Sequence, residues 1–473
     1  SRRPAYAMMG DVTPAPDAAQ QEAAYQLDLR KRMRLAEEAI LGRAPEHDLA
    51  PSLDRIRAVM DILGEPQRSY PVIHLTGTNG KTSTTRMVET LLREMGLTTG
   101  RFTSPHLHDM RERIAIGGEP ISRAAFLEAY EQVLPVIEHV DRRSAEAGGP
   151  RMTYFEVLVA VAYVAFADAP VDVAVVEVGM GGSWDATNVA DGVVCVITPV
   201  DIDHQHFLGS SVEQIATEKA GIIKADAIAV SAVQAPEVGT ILAERAESVG
   251  ARLVLEGGDI GVLSREVALG GQLLALRGLA GEYPEVFLPL HGVHQASNAV
   301  VALAAVEAFV GGGERALSAD VVRAGFAAVT SPGRLEVVRR SPTILVDAAH
   351  NPAGARSLRA AVTESFDFTR LVGVLAVFAD KDAYGILDEL QSVFDEVVVT
   401  RSSSPRAMAP AALAEVAREI FGEDRVTVAA DLPDAIDRAV ALAEANGLGG
   451  GVLATGSVVT AAEVRLLLGA EGD

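Results

Sequence analysis

Thr76-Gly77-Thr78-Asn79-Gly80-Lys81-Thr82-Ser83 follows the apolar run Val72-Ile73-His74-Leu75 and opens a helical pattern from Lys81 to Met95, closed by Gly96. Strand, glycine turn and helix in that order are what a phosphate site requires. The glycines let backbone N–H groups approach phosphate oxygens, and the helix presents its positive end. Lys81 can reach the β and γ phosphates, and a following hydroxyl can bind Mg²⁺. The loop is shorter than the common G-x-x-x-x-G-K-[ST], because Gly77 stands three positions before Gly80. Without the flanking elements the same letters would be a glycine turn with an exposed lysine.

Outward from this loop, β-type runs at Val171–Val178, Val193–Thr198 and Ala227–Val233 alternate with helical stretches, which predicts a mainly parallel α/β sheet. Helical spacing also marks Gln20–Leu41 and Ser52–Leu63, with Ser52 as N-cap, while residues 1–19 read as a loose tail. From Arg252 to Leu290 shorter alternating runs with many glycines predict antiparallel hairpins, and a helix over Gln295–Val310 follows. Thr330-Ser331-Pro332-Gly333 is the boundary candidate. Beyond it the α/β rhythm restarts, with strands expected at Thr343–Val346, Leu371–Ala376, Glu396–Thr400 and Gly451–Ala454. The expected architecture is α/β: an N-terminal P-loop ATPase domain with a mainly parallel sheet over 1–330, and a smaller doubly wound, Rossmann-like domain over 331–473.

The bulk numbers agree with a globular chain of two domains: 473 residues, 49% hydrophobic and 22% charged. Acidic residues outnumber basic ones by 64 to 41, a formal charge of −23, so the average surface repels a phosphate backbone and nucleic acid is excluded as an expected partner. Small anionic substrates must be drawn in by local cations or metal ions. The single cysteine, Cys195, lies in the apolar run Val193–Ile197 and reads as a buried, inert thiol of a cytoplasmic protein. The apolar stretch Val157–Ala167 is bracketed by Glu156 and Asp168 and is too short to span a bilayer, and no apolar core follows Arg2 and Arg3, so neither membrane nor secretion is expected.

Further strings carry chemistry. In Val175-Val176-Glu177-Val178-Gly179-Met180-Gly181-Gly182-Ser183-Trp184-Asp185-Ala186-Thr187-Asn188, Glu177 closes a strand at its carboxyl end, where open α/β sheets place ligands, and can hold a hard Mg²⁺ ion beside phosphates. Asp201-Ile202-Asp203-His204-Gln205-His206-Phe207-Leu208-Gly209 and Glu218-Lys219-Ala220-Gly221-Ile222 follow. Taken singly, His204 would be a satisfied loop residue, Lys219 a solvated charge and Phe155 a core residue. Arg334, after the Pro332-Gly333 turn, would be a surface charge unless a domain hinge swings it onto the γ-phosphate.

The short nucleotide loop is similar to that shared by muramyl amino-acid ligases and folylpolyglutamate synthases, with Ser83 at the constant hydroxyl position. The string around Glu177 and the segment Ser104-Pro105-His106-Leu107 resemble the dihydrofolate synthase/folylpolyglutamate synthase family more closely than the muramyl ligases. Two positions depart from the folate pattern: Thr82 stands where glycine is usual and Ser183 where arginine is usual. The resemblance implies an ATP-dependent ligase that joins L-glutamate to dihydropteroate and to folates through an acyl phosphate, acting as a monomer. It implies an ATP site of Gly77, Thr78, Asn79, Gly80, Lys81, Thr82, Ser83, Asn298, Arg334 and Asp347. Two Mg²⁺ ions would be held by Ser83, Ser104, Glu177, His204 and a carbamylated Lys219. The substrate side would use Thr153, Phe155 and Asp185 for the pterin, and His350 with Ser457 for glutamate; Lys81, Lys219, Arg334 and His350 would be catalytic. The alternatives are a muramyl-type ligase and a nucleotide-gated regulatory module without ligase chemistry.

Overall fold

The computed structural model describes residues 18–45, 52–203, 208–445 and 447–470. The first sheet has eight strands in the spatial order Glu119–Pro120, Ile114–Ile116, Thr99–Phe102, Val173–Glu177, Val72–Thr76, Gly192–Ile197, Ile228–Ser231 and Arg252–Leu255. Pairing is parallel from Thr99–Phe102 to the Arg252 edge and antiparallel at the other. Val72–Thr76 and Val173–Glu177 are buried at every residue, because helices cover both faces and leave no polar side to alternate with. On one face Val72, Ala174 and Val176 pack under the apolar helix Tyr154–Asp168. On the other, Ile73, Leu75, Val173 and Val175 meet Met87, Val88 and Leu91 of the helix Lys81–Glu94, together with the helix Val293–Gly311. That last helix is long and apolar enough to cross a membrane, but 72% of its most apolar window is buried inside the protein.

The expected hairpins form a three-stranded antiparallel sheet, Gly261–Ala268, Gly271–Arg277 and Glu282–Leu288, whose inner face packs on the helix Val293–Gly311. The stretch before them departs from expectation. Arg252–Leu255 is not a hairpin strand; it pairs parallel with Ile228–Ser231. The intervening helix Pro236–Val249 ends at Gly250 with φ 71°, making a βαβ crossover that returns the chain to the same sheet. Ser52 is likewise displaced by one position: Leu53 is the N-cap, while Ser52 Oγ still accepts the Asp54 N–H at 3.0 Å.

The second domain has a six-stranded sheet in the order Glu336–Arg340, Thr343–Val346, Gly450–Thr455, Arg370–Leu375, Glu396–Val399 and Val426–Val428, parallel except for the first pair. Helices Pro352–Ser365, Ala383–Leu390 and Pro410–Phe421 cover one face, and Leu432–Glu444 and Val458–Leu467 the other. The doubly wound expectation holds. Glu336–Arg340 and Val426–Val428 carry no buried residue and so lack the apolar run that reveals a central strand.

Candidate active site

The carboxyl ends of Val72–Thr76, Val173–Glu177 and Gly192–Ile197 lie side by side at the middle of the first sheet, and the loops leaving them build one wall of a cleft of about 490 Å³. Gly77 and Gly80 are forced choices. Gly77 has φ 146° and a Cβ there would stand 1.8 Å from Thr198 Oγ1; Gly80 has φ 90° and its Cβ would meet Asn298 Oδ1 at 2.7 Å. The loop is fixed from behind, where Thr78 donates to Asp201 O at 2.8 Å and Thr76 to Gly181 O at 2.7 Å. The helix that starts at Lys81 has no side-chain cap, so its first N–H groups face the cleft unclaimed by a capping residue.

Three titratable groups dominate this wall. Lys81 Nζ donates to Gly77 O at 3.0 Å and Thr78 O at 3.2 Å; burial lowers its pKa, offset by Glu177 and Asp203. Glu177 is 1% exposed and burial raises its pKa, with Lys81 the main opposing influence. Thr82 explains itself here. Its Oγ1 donates to both carboxylate oxygens of Glu177, at 2.9 and 3.1 Å, and the Ser104 N–H approaches at 3.4 Å. Lys219 is no solvated charge: it is 4% exposed and donates to Gly77 O at 2.8 Å. Burial, reinforced by Lys81, lowers its pKa to about 7, and Nζ faces a chamber of about 30 Å³ shared with Asp203 and His350. Ser183 also has a task, donating from Oγ to Glu218 O at 3.0 Å, which ties the glycine-rich loop to the helix of Lys219.

The second domain supplies the facing wall. Asp347 accepts the N–H groups of Leu335 and Ala349, both at 2.8 Å, and burial raises its pKa despite Arg334. Leu335 sits at φ 44°, a left-handed conformation that a branched side chain adopts at a cost of about 1–3 kcal/mol, so the Asp347 bond holds the turn that presents Arg334. The Arg334 side chain lines the cleft and has no hydrogen bond or ion pair among the described residues. His350 Nδ1 lies 2.9 Å from Ala348 O, which leaves Nε2 facing Asp203 Oδ2 at 3.6 Å.

Three residues that carried no expected role complete the closure. Lys381 pairs with Asp203 at 2.6 Å, with side chains 8% and 9% exposed. Asn351 exchanges amide hydrogen bonds with Asn79, at 3.1 and 3.3 Å, and donates to Asp203 at 3.3 Å. Asp203 stands inside a quoted motif and Asn351 follows His350 directly, so the sequence pointed near both. Lys381 had no such signal.

Of the expected site residues, Thr78 to Ser83, Ser104, Phe155, Glu177, Asn298, Arg334, Asp347 and His350 line the main cleft, and Gly77 and Lys219 the small chamber. Phe155 is core as well, edge to face with Phe102 at 5.8 Å. Thr153, Asp185 and Ser457 stand behind the wall as helix N-caps. Asp185 is fully buried and accepts from Met180 N and Thr187 N, both at 2.9 Å, and from the Thr187 hydroxyl. Tyr154, next to Thr153, and Val458, next to Ser457, reach the cleft instead. His204 lies outside the described residues.

Among the described residues no three His, Cys, Asp or Glu side chains cluster to hold a metal ion. What the cleft offers is one buried carboxylate with hydroxyls beside it, Glu177 with Thr82, Ser83 and Ser104. Such hard oxygen donors suit a Mg²⁺ ion that takes its remaining ligands from phosphates and water. The glycine cradle, the uncapped helix end and the Lys81 ammonium fit a nucleotide's phosphates.

A phosphate loop at the carboxyl ends of the first sheet, facing a second doubly wound domain across one cleft, defines an ATP-dependent ligase of the Mur-ligase type. Residues 125–306 match the Mur ligase middle domain and residues 333–458 the Mur ligase, glutamate ligase domain. The dihydrofolate synthase/folylpolyglutamate synthase of Mycobacterium tuberculosis is 53% identical over 447 residues, covering 90% of this chain and 92% of that one. The M. tuberculosis folylpolyglutamate synthase structure complexed with ADP superposes with a TM-score of 0.90 at 51% identity, covering 94% of this chain and all of the other. A folylpolyglutamate synthase complex with AMPPCP and folate gives 0.78 at 31% identity, over 92% and 99% of the two chains. The chain belongs to the dihydrofolate synthase/folylpolyglutamate synthase family of ATP-dependent glutamate ligases, and the muramyl-type alternative is set aside.

Proposed function

We propose that the protein adds L-glutamate both to dihydropteroate and to tetrahydrofolates. The observation that carries this reading is the meeting of Lys81, Glu177, Ser104, Arg334 and His350 around one cleft that also has an aromatic wall, Tyr154 and Phe155. A flat pterin needs such a wall, and an amide bond needs an activated carboxylate. The pterin substrate's carboxylate oxygen attacks the γ-phosphorus of ATP, the bond to the bridging oxygen breaks, and ADP and an acyl phosphate result. The glutamate amine then attacks the acyl carbon, forming C–N while phosphate leaves and the amine loses a proton. Lys81 and Arg334 offset charge on the phosphoryl oxygens. His350, donating through Nδ1 to Ala348, keeps Nε2 to receive the amine proton, with Asp203 steadying the imidazolium.

Ser83, Ser104 and Glu177 would hold one Mg²⁺, and His204 with a carbamylated Lys219 a second; the ions would supply charge neutralisation at the phosphates. Carbamylation is supported by the lowered Lys219 pKa, since a neutral amine adds CO₂, and by the chamber at Nζ. We place the domain boundary at 330/331, between the helix Ala319–Ala327 and the first strand of the second sheet, Glu336–Arg340, and read the protein as a cytoplasmic monomer. Thr153 and Asp185 would act on the pterin by holding Tyr154, Phe155 and the Gly179–Gly182 loop in place, and Ser457 would act likewise on the glutamate side through Val458.

ADP release is measured with dihydropteroate or tetrahydrofolate, with glutamate present or withheld. Glutamate-dependent release with both is expected. Release with only one pterin overturns the dual assignment, and release independent of glutamate overturns ligation.

A further inference from the structure

The segment 104–109, whose Ser104 and Pro105 line the cleft beside Tyr154 and Phe155, does not end in solvent. Its far end touches the second domain. His108 Nε2 lies 3.0 Å from Nη1 of Arg465, on the C-terminal helix Val458–Leu467, and Arg465 Nε donates to Glu336 Oε2 at 2.8 Å. The same Glu336 oxygen accepts the Gly333 N–H at 2.7 Å, so a continuous polar chain runs from the loop to the residue next to Arg334. The apolar contact runs in parallel: Leu107 Cδ2 is 3.6 Å from where a Cβ on Gly333 would stand.

Donor chemistry fixes how this bridge works. A guanidinium has only donors, so the proton between Arg465 and His108 belongs to Arg465 and the imidazole must accept through Nε2. The neutral ring then carries its hydrogen on Nδ1, an atom that is buried and has no hydrogen-bond partner among the described residues. A buried polar atom left unmatched is a cost that a loop side chain facing water would avoid. Arg465 is itself 4% exposed, deep for a cation whose partners are one carboxylate and one imidazole.

The loop is stiff enough to transmit a displacement. The N–H groups of Leu107, His108 and Asp109 all converge on the Glu112 carboxylate, at 2.7, 2.9 and 2.8 Å, and Asp109 caps the same turn. Arg113, at the end of that turn, donates to His106 Nδ1 at 2.8 Å. Whatever moves His108 therefore moves His106, Pro105 and Ser104 as one unit.

The geometry points to His108 and Arg465 as positioning residues that set the substrate loop against the interdomain hinge through Glu336. The inference rests on the proposed function, with the pterin in the cleft that Ser104 and Pro105 line together with Tyr154 and Phe155. His108→Phe removes the acceptor, and His108→Gln offers an amide oxygen at a similar reach. Steady-state kinetics are run with dihydropteroate and with tetrahydrofolate, varying each substrate in turn. His108→Phe is expected to raise KM for the pterin substrate about tenfold, the loss of one hydrogen bond to a charged group, with kcat and the KM for ATP held within about twofold. His108→Gln should return most of the affinity, and Arg465→Met should add little to His108→Phe. A wild-type-like pterin KM in His108→Phe overturns the bridge while leaving the proposed function intact, and so does equal loss in the Phe and Gln variants. Wild-type protein that turns over neither pterin overturns the proposed function and this inference with it.

Discussion

The two walls of the cleft are built differently. On the first-domain wall each reactive group is held by its own domain: Lys81 by the carbonyls of its loop, Glu177 by Thr82 and Ser104, Lys219 by Gly77. On the second-domain wall Asn351 and Lys381 find their partners across the cleft, on Asn79 and Asp203, and His350 faces Asp203. One wall is finished by the parallel sheet beneath it. The other becomes complete only when the domains meet, which fits the proposal that the first wall cradles the phosphates while the second brings Arg334 to them and His350 to the glutamate amine.

If that division holds, the largest single loss comes from the rigid wall. Lys81→Ala is expected to lower kcat by roughly a hundredfold to a thousandfold, as for other preorganised charge-stabilising donors, with thermal stability close to wild type. Its ammonium bonds only to carbonyls of its own loop, so the core is untouched. Near-normal ligation in this variant would remove the phosphate role from the loop.

Lys219 tests the same wall by pH. Its folded pKa of about 7 lies below the ordinary 10.5, so between those values the unfolded chain binds a proton that the folded chain has released. Stability contributed by this site therefore rises with pH across that window, and the full burial penalty applies below about 7. The neutral amine is also the form that adds CO₂. A carbamate resonance from ¹³C-bicarbonate should grow in as pH passes about 7 and be missing in Lys219→Ala, which should lose most activity and regain part of it with short carboxylic acids. No resonance at any pH, with wild-type turnover in the alanine variant, would leave Lys219 as a buried structural lysine.

Much of the rigid wall was legible because its grammar is local. Strand, glycine turn and helix lie within Val72–Glu94, and Glu177 is marked by its place at a strand end. Thr82 looked like a departure and proved to be the hydroxyl that orients Glu177. The second-domain wall was harder to read. Lys381 and Asp203 are 178 positions apart, and no periodicity connects them. Thr153, Asp185 and Ser457 stood at motif positions, but capping consumes their side chains, and the cleft is reached by the neighbours that they orient. Arg252–Leu255 was misassigned because an edge strand with one buried residue resembles a hairpin strand until its crossover helix is seen.

The Asp203–Lys381 pair measures the closure directly. Lys381→Met and Asp203→Asn, separately and together, should each lower kcat/KM for glutamate, with a coupling energy of about 1–3 kcal/mol from the double-mutant cycle. Lys381→Met takes the ammonium away from the Asp203 carboxylate and Asp203→Asn leaves the Lys381 ammonium facing a neutral amide, so the singles should cost more than half of the double. Additive effects would mean that the two side chains act independently and that their contact holds nothing together.

The smallest expected effect is also the most discriminating, because only the oxygen of Asn351 caps its helix while its Nδ2 serves the cleft alone. Its Oδ1 accepts the Gly354 N–H at 2.8 Å, caps the helix Pro352–Ser365 and also accepts from Asn79 Nδ2 at 3.3 Å, while its Nδ2 donates to Asn79 and Asp203 across the cleft. Asn351→Ala loses both tasks. It should cost about 1 kcal/mol of capping energy, seen as a fall in Tm of about 3 °C in the second domain's transition, together with a severalfold rise in KM for glutamate. Asn351→Asp keeps the capping oxygen but replaces the donor with a carboxylate oxygen facing Asp203. Stability should then stay near wild type while the KM effect equals or exceeds that of the alanine variant. If the aspartate variant instead matches wild type in both measurements, the hydrogen bonds that Asn351 Nδ2 donates to Asn79 and Asp203 contribute nothing to closure.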